Sequence, residues 1–285
     1  MSTKLPHGLC SRRHFLEAGG FGLGLLGLAS LLRQDGLLAA PIKPLLGNET
    51  YDLLPKQPPR PAKAKAMIAA GEDVLLLTIG EPDVPPPSAL IDTAKAAMNE
   101  GRFGYSNGRG EPALLAALSA RYTERRGRPI TTQQFMAFPG TQTSLFAVLT
   151  GLVGPGDEVL VGDPMYATYE GVIMAPGAKV VPVPLRPEHG FRMQAADVEA
   201  RITPRSRVLM LNTPHNPTGA VLTAEDILAL GRVAKAHDLW ILSDEVYEEL
   251  IFADGKFASP LDVADLADRT VAVASISKSH AAPGF

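Results

Sequence analysis

The chain reads as an α/β protein, a mostly parallel sheet sandwiched by helices. Three observations predict this. Between residues 135 and 274, short apolar runs alternate with longer segments whose apolar residues recur at helical spacing. Runs such as Val208-Leu209-Met210-Leu211 are apolar throughout, as strands covered on both faces are. At 285 residues, with 46% hydrophobic and 20% charged content, the chain is an ordinary globular one, long enough for one large α/β core.

The first 61 residues stand apart. Ser11-Arg12-Arg13-His14-Phe15-Leu16 precedes a Gly-rich apolar run from Ala18 to Leu32. That run is about fifteen residues, short of the ~20 that a spanning helix needs. Two arginines, a mildly apolar segment and then Ala39-Ala40 have the layout of an export signal. The motif resembles the twin-arginine signal, which is an address and not an anchor. Pro41 after the two alanines argues against cleavage there, and a plain N-terminal arm is the alternative. Residues 41–61 carry Pro41, Pro44, Pro55, Pro58, Pro59 and Pro61, a density that blocks helix and central strand alike and reads as a linker. Leader and linker together resemble the start of a family of exported bacterial proteins. The expected organisation is a leader over 1–40, a linker over 41–61 and a catalytic-type domain over 62–285.

Within that domain, Ala62–Ala70 is Ala-rich and helix-like, ended by Gly71. Val74–Ile79 reads as a buried strand running into the turn Gly80-Glu81-Pro82-Asp83. Residues 87–100 read as an amphipathic helix with Leu90, Ile91, Ala94 and Met98 on one face. Residues 103–110 hold too many glycines for regular structure, and 112–127 returns to helix. Strands are then expected at 135–138, 158–161, 179–183, 208–211, 240–242 and 270–274. Helices are expected at 141–153, 166–174, 194–202 and 224–237. No 20–50-residue repeat is visible.

Charge and metal chemistry exclude several classes. A net charge of −3 makes no electrostatic case for nucleic acid. Cys10 is the only cysteine, so no disulfide framework exists. The six histidines are scattered, with no pair at helix-face spacing, and no dedicated metal site is expected.

Chemistry gathers where strands end, which is where ligands sit in open α/β sheets. Pro139-Gly140-Thr141-Gln142-Thr143-Ser144 turns a strand into a helix. Its unpaired N–H groups and hydroxyls suit an anion such as phosphate, and the alternative is plain capping by a threonine. Asn212-Thr213-Pro214-His215-Asn216-Pro217-Thr218-Gly219 is a rigid loop holding Asn216 as a donor, or else a structural turn. Asp244 leaves an apolar strand in Ser243-Asp244-Glu245-Val246-Tyr247, and a carboxylate there needs a cationic partner. Pairing Asp244 with Glu245 for acid/base work or a divalent ion is the weaker reading, since adjacent strand residues face opposite ways. Tyr166 and Tyr169 can cover a planar ligand or belong to the core. Lys278, in Ser275-Ile276-Ser277-Lys278-Ser279, is a surface lysine or an amine placed among hydroxyls for carbonyl chemistry. Together, an amine, a phosphate cradle, a carboxylate, an amide with a tyrosine and an aromatic cover are what pyridoxal 5′-phosphate asks of a protein.

From about residue 62 to 285 the order of these motifs resembles a class I/II aminotransferase of fold type I. The matching stretches are Gly80-Glu81-Pro82-Asp83, Tyr105, Gly140-Thr141-Gln142, Tyr166, Asn216-Pro217-Thr218-Gly219, Ser243-Asp244-Glu245-Val246-Tyr247 and Ser275-Ile276-Ser277-Lys278. The resemblance implies that Lys278 is the Schiff-base lysine and that Asp244 pairs with the pyridinium nitrogen. It implies that Asn216 and Tyr247 hold the ring oxygen, that Tyr166 stacks on the ring, and that Gly140, Thr141, Gln142 and Ser275 serve the phosphate. Tyr105 would reach a neighbouring subunit's phosphate in a homodimer, and Gly80 would lie by the substrate carboxylate. The subgroup that looks most similar is the aspartate and arginine–pyruvate transaminases.

The chain departs from the family pattern at its end. An arginine that clamps the phosphate is expected after Gly284-Phe285, and the small domain with the arginine for the substrate carboxylate is not in the sequence. A fragment with little turnover is therefore the expectation, located in the periplasm if the leader acts and in the cytoplasm otherwise. The alternatives are a lyase, racemase or decarboxylase with the same cofactor, and a non-catalytic exported remnant.

Overall fold

In a computed structural model, the described residues are 60–74, 82, 84–252 and 255–283, with side chains described from residue 64 on. The leader, the linker before residue 60, most of the expected strand at 74–79, Gly80, Glu81, Asp83 and Gly284-Phe285 lie outside them. The described residues fall into two units, each taken by itself.

The smaller unit carries α1 (Arg60–Ala69). It ends as its sequence demands: Gly71 takes φ +85°, and the Glu72 N–H reaches back to the Met67 carbonyl at 3.0 Å. A left-handed residue just past a helix satisfies carbonyls that the last turn leaves open.

The larger unit begins with α2 (Ser88–Asn99) and α3 (Pro112–Arg126). Pro112 opens α3, and Gly127 closes it in the left-handed region at φ +62°. No residue of α2 is fully buried. Its apolar face is narrower than expected: Leu90, Ile91 and Ala94 are half-covered, whereas Met98 is 61% exposed.

The sheet then builds from α4 (Thr141–Leu152), β1 (Glu158–Asp163), α5 (Tyr169–Met174), β2 (Lys179–Pro184), α6 (Ala195–Glu199), β3 (Ser206–Asn212), α7 (Ala224–Ala236), β4 (Trp240–Asp244), β5 (Thr270–Val273) and the short α8 (Ile276–Ser279). All five strands are parallel, in the order β2-β1-β3-β4-β5. The apolar runs give the sandwich directly, since alternate residues go to opposite faces. Leu209, Leu211 and Ile241 pack on one side against Val198 of α6 and Ile227 and Leu230 of α7. Val208, Met210 and Leu242 pack on the other against Leu145 and Leu149 of α4 and Ile173 of α5. The α/β class predicted from the pattern is the one found.

Three local expectations need correction. Residues 135–138 form no strand. Among the described residues, their one backbone link to a distant segment is the Ala137 N–H to the Arg109 carbonyl, at 2.8 Å, and a single bond is not a ladder. Tyr166 does not open a helix: it lies in the turn after β1, and α5 starts only at Tyr169. The helix expected over 194–202 shortens to five residues. Among the described residues, no helix is long and apolar enough to cross a membrane.

Candidate cofactor site

The strand order places a crevice before any side chain is considered. β1 and β3 are neighbours, but β1 continues toward β2 on one side and β3 toward β4 on the other. The loops after β1 and β3 therefore diverge, which is the topological switch point of an open parallel sheet. The loop after β1 carries Tyr166 and the loop after β3 carries Asn216. His215 links them. Its Nδ1 lies 2.7 Å from Thr218 Oγ1, and it makes a hydrogen bond with the Pro164 backbone. Burial lowers its pKa to about 4, so the ring is neutral at physiological pH.

At the end of β4, Asp244 is 3% exposed. Tyr169, itself 1% exposed, donates its hydroxyl to Asp244 Oδ2 at 2.7 Å, and the Val246 N–H donates to Oδ1 at 3.2 Å. Burial raises the Asp244 pKa despite these two donors. Burial next to Asp244 likewise holds the Tyr169 hydroxyl well above the ordinary phenol range, so it stays a donor. Three residues on, Tyr247 Oη accepts a hydrogen bond from Asn216 Nδ2 at 3.3 Å. Asn216 is aimed by its own backbone, whose N–H donates to Asn212 Oδ1 at 2.8 Å. Asn212 Nδ2 in turn donates to the Asp244 carbonyl at 3.2 Å, so the two loops are stitched at the site. Tyr166, 37% exposed, meets Tyr169 edge-on with ring centroids 5.6 Å apart.

The anion cradle is the start of α4. Gly140 has φ +85°, a conformation that suits glycine, and a side chain added there meets nothing within 4 Å. The first helical bond is the Ser144 N–H to the Gly140 carbonyl, at 3.3 Å, so the N–H groups of Thr141, Gln142 and Thr143 have no intrahelical acceptor. The Gln142 side chain donates to Thr168 Oγ1, tying the cradle to the loop that bears Tyr166. Ser275 Oγ accepts from the Ser277 N–H at 3.0 Å and caps α8, whose third residue is the half-buried Lys278. β5 pairs with β4 so that Val273 lies opposite Asp244, which brings the Ser275–Lys278 turn to the same edge as Asp244 and Tyr247.

The aminotransferase class I and II family profile matches residues 72–285. The chain belongs to the class I and II aminotransferases. The arginine–pyruvate transaminase of Pseudomonas aeruginosa is 46% identical over 223 residues, covering 78% of this chain and 56% of that protein. The aspartate aminotransferase of Thermotoga maritima is 36% identical over 224 residues, covering 79% of this chain and 59% of that protein. Among solved structures, a Thermus thermophilus aspartate aminotransferase double mutant superposes with a TM-score of 0.75 at 34% identity, over 80% of this chain and 60% of the other. The chain thus spans under two thirds of these aminotransferases, which as a family use pyridoxal 5′-phosphate.

Seen as an aminotransferase, the chain brings together Asp244, Tyr247, Asn216 and Tyr166, and it sets the Gly140-Thr141-Gln142 cradle beside the Tyr166 loop. Tyr105 stands apart, fully exposed. Gly80 lies outside the described residues. Sequence reasoning left Tyr169 as either cover or core, and the structure makes it the hydroxyl partner of Asp244. Its spacing from Tyr166 was the available signal. Asn212, Thr168 and His215, which hold the loops, carried no separate signal.

Proposed function

We infer that the chain is the cofactor-binding part of a pyridoxal-phosphate-dependent aminotransferase that moves an amino group from an amino acid to a 2-oxo acid. The observation that carries this reading is Asp244. It is a carboxylate at a strand's carboxyl end, nearly fully buried, with one phenol and one N–H as its donors among the described residues. Such a group asks for a cation. The donor set fits the cofactor: an acid for a ring nitrogen, an amide–phenol pair for a ring oxygen, an open glycine cradle for a phosphate and an amine for an aldehyde.

When bound, pyridoxal phosphate supplies an electron sink that makes a substrate Cα–H acidic. Asp244 would hold the proton on the ring nitrogen. Asn216 Nδ2 and Tyr247 Oη would donate to the ring oxygen. Tyr166 would cover the ring face. Gly140, Thr141, Gln142 and Ser275 would bind the phosphate through N–H and hydroxyl groups. Lys278 Nζ would be the amine that holds the cofactor and the base that carries a proton.

For substrates, the 46% identity to an arginine–pyruvate transaminase favours arginine as donor and pyruvate as acceptor, with aspartate the second candidate donor. The full exposure of Tyr105 supports a homodimer in which it serves the neighbouring site. The Ser11–Leu16 motif supports export by a twin-arginine route, and cell fractionation tests it.

The test of function is spectroscopic and chemical. The parent chain is expected to form a visible band with pyridoxal phosphate that Lys278→Ala does not form, to lose it on adding arginine, and to yield alanine from pyruvate. Release of ammonia in place of alanine would move the reading to a lyase. A band shared equally by Lys278→Ala would remove Lys278 from the site.

A further inference from the structure

The turn after β4 has two faces. Asp244 and Tyr247 look toward Tyr169 and Asn216. Glu245, Glu248 and Glu249 look the other way, to α3. Glu245 is 1% exposed, and it accepts the Ser259 hydroxyl on Oε1 at 2.6 Å and the Arg126 guanidinium on Oε2 at 3.5 Å. The Arg126 side chain is 2% exposed; it also pairs with Asp262 at 2.5 Å and lies 5.4 Å from the centre of the Tyr122 ring. Tyr122 donates to Glu248 Oε1 at 2.6 Å, and Arg125 lies 3.2 Å from Glu248 Oε2 and 2.8 Å from Glu249 Oε1.

The backbone between the two faces is a junction. The Asp244 carbonyl accepts the Thr213 N–H at 3.0 Å, and the Glu245 N–H donates to the Val273 carbonyl at 2.8 Å. One peptide unit thus joins the loop that bears Asn216 to the strand end that leads into Ser275 and Lys278. Thr213, Asp244, Glu245 and Val273 are all buried, so both bonds lie in the covered interior.

We propose that Glu245 and Arg126 are positioning residues of the cofactor site: from the far side of the turn, with Ser259, they fix the direction in which Asp244 and Tyr247 point. The proposal rests on the aminotransferase reading above. It goes beyond stability, since replacing both partners of a buried ion pair by uncharged side chains is often neutral for folding. Positioning is the part that such a replacement does not restore.

Protonation offers a second handle. The groups facing Glu245 are Arg126 and Tyr122 from α3, Ser259 and, through Arg126, Asp262 from the 259–262 segment, and Glu248 from its own turn. Burial pushes the Glu245 carboxyl up to about 7. It is therefore paired as an anion at pH 8 and mostly neutral at pH 6, where Glu245→Gln imitates it.

The experiment measures the Kd for pyridoxal phosphate and the melting temperature of parent, Glu245→Gln and the double variant Arg126→Met/Glu245→Gln, at pH 8 and pH 6. The double variant is expected to melt cooperatively while binding about tenfold more weakly at pH 8, the lower end of what supporting partners contribute to a site. The ratio of variant to parent Kd is expected to narrow toward one at pH 6. A ratio of one at pH 8 in a folded variant overturns the inference alone. Loss of cooperative melting in both variants assigns the pair to stability and also overturns it. A parent that binds no cofactor overturns the functional reading, and the inference with it.

Discussion

A single hydroxyl sets how Asp244 is held. Tyr169 is buried with its ring edge-on to Tyr166, and among the described residues its Oη is the side-chain donor to the Asp244 carboxylate. Tyr169→Phe keeps the ring and deletes that donor. Leaving a buried carboxylate oxygen without its partner costs about 1–3 kcal/mol. In the cofactor-free protein the Asp244 pKa, raised by burial and restrained by Tyr169, is expected to climb further. Urea unfolding at pH 8 should show the loss, and the Kd for pyridoxal phosphate should weaken. An unchanged Kd would mean that the Val246 N–H suffices to orient the carboxylate. The site was legible in the sequence where a residue type is unusual for its place: an acid leaving an apolar strand, an asparagine between two prolines, a lysine among serines. It was not legible where a common residue takes a special partner. Tyr169 is indistinguishable from a core tyrosine until Asp244 is seen beside it, and Arg126 ends a helix rich in ordinary charges.

At the scale of elements, two glycines show the difference between supporting the sheet and forming the site. Gly231 lies within α7, and a methyl group there would sit 2.4 Å from Leu266 Cδ1 and 2.9 Å from Cδ2. Leu266 is 2% exposed and packed in the core with Ile227 and Leu230 of α7. Overpacking costs about 1–3 kcal/mol, against roughly 1 kcal/mol gained in helix propensity. Gly140, in open space at φ +85° and ψ 152°, faces strain of about 1–3 kcal/mol for any L side chain. Gly231→Ala is expected to lower the denaturation midpoint and leave cofactor affinity alone, whereas Gly140→Ala should lose affinity as well. Equal affinity losses in both would contradict the cradle. The elements themselves were mostly readable, because five apolar runs and their intervening helices are spaced as a parallel sheet requires. The exceptions have local causes. Residues 135–138 have strand-like composition, but among the described residues their backbone bonds to a distant segment only at Arg109. The α5 start moved because residues 164–168 form a turn after β1, and the helix begins only at Tyr169.

For the whole molecule, two buried groups oppose each other in the dependence of stability on pH. Glu245 has a folded pKa raised from 4.5 to about 7, so the folded state holds a proton that the unfolded chain has released. That contribution is fully present below about 4.5 and is lost as pH rises through 7. His215 has a folded pKa lowered from 6.5 to about 4, so its contribution is present above 6.5 and is lost as pH falls through 4. Each shift corresponds to roughly 3 kcal/mol at 1.36 kcal/mol per unit. Asp244, raised by the same cause as Glu245, adds to the falling side in the cofactor-free protein. Between about pH 4.5 and 6.5 the slopes of Glu245 and His215 run in opposite directions, which flattens the parent's curve. Removing either group should unmask the other. Glu245→Gln is expected to gain stability steadily as pH rises from 4 to 6.5, and His215→Asn to lose it from 4.5 to 7. Urea melts of the three proteins at half-unit pH intervals read this directly. Parallel curves for all three would show that neither group titrates in the folded protein where its burial places it. Added pyridoxal phosphate should change the parent's curve on the acidic side, because a cation bound at Asp244 keeps that carboxylate ionised as pH falls.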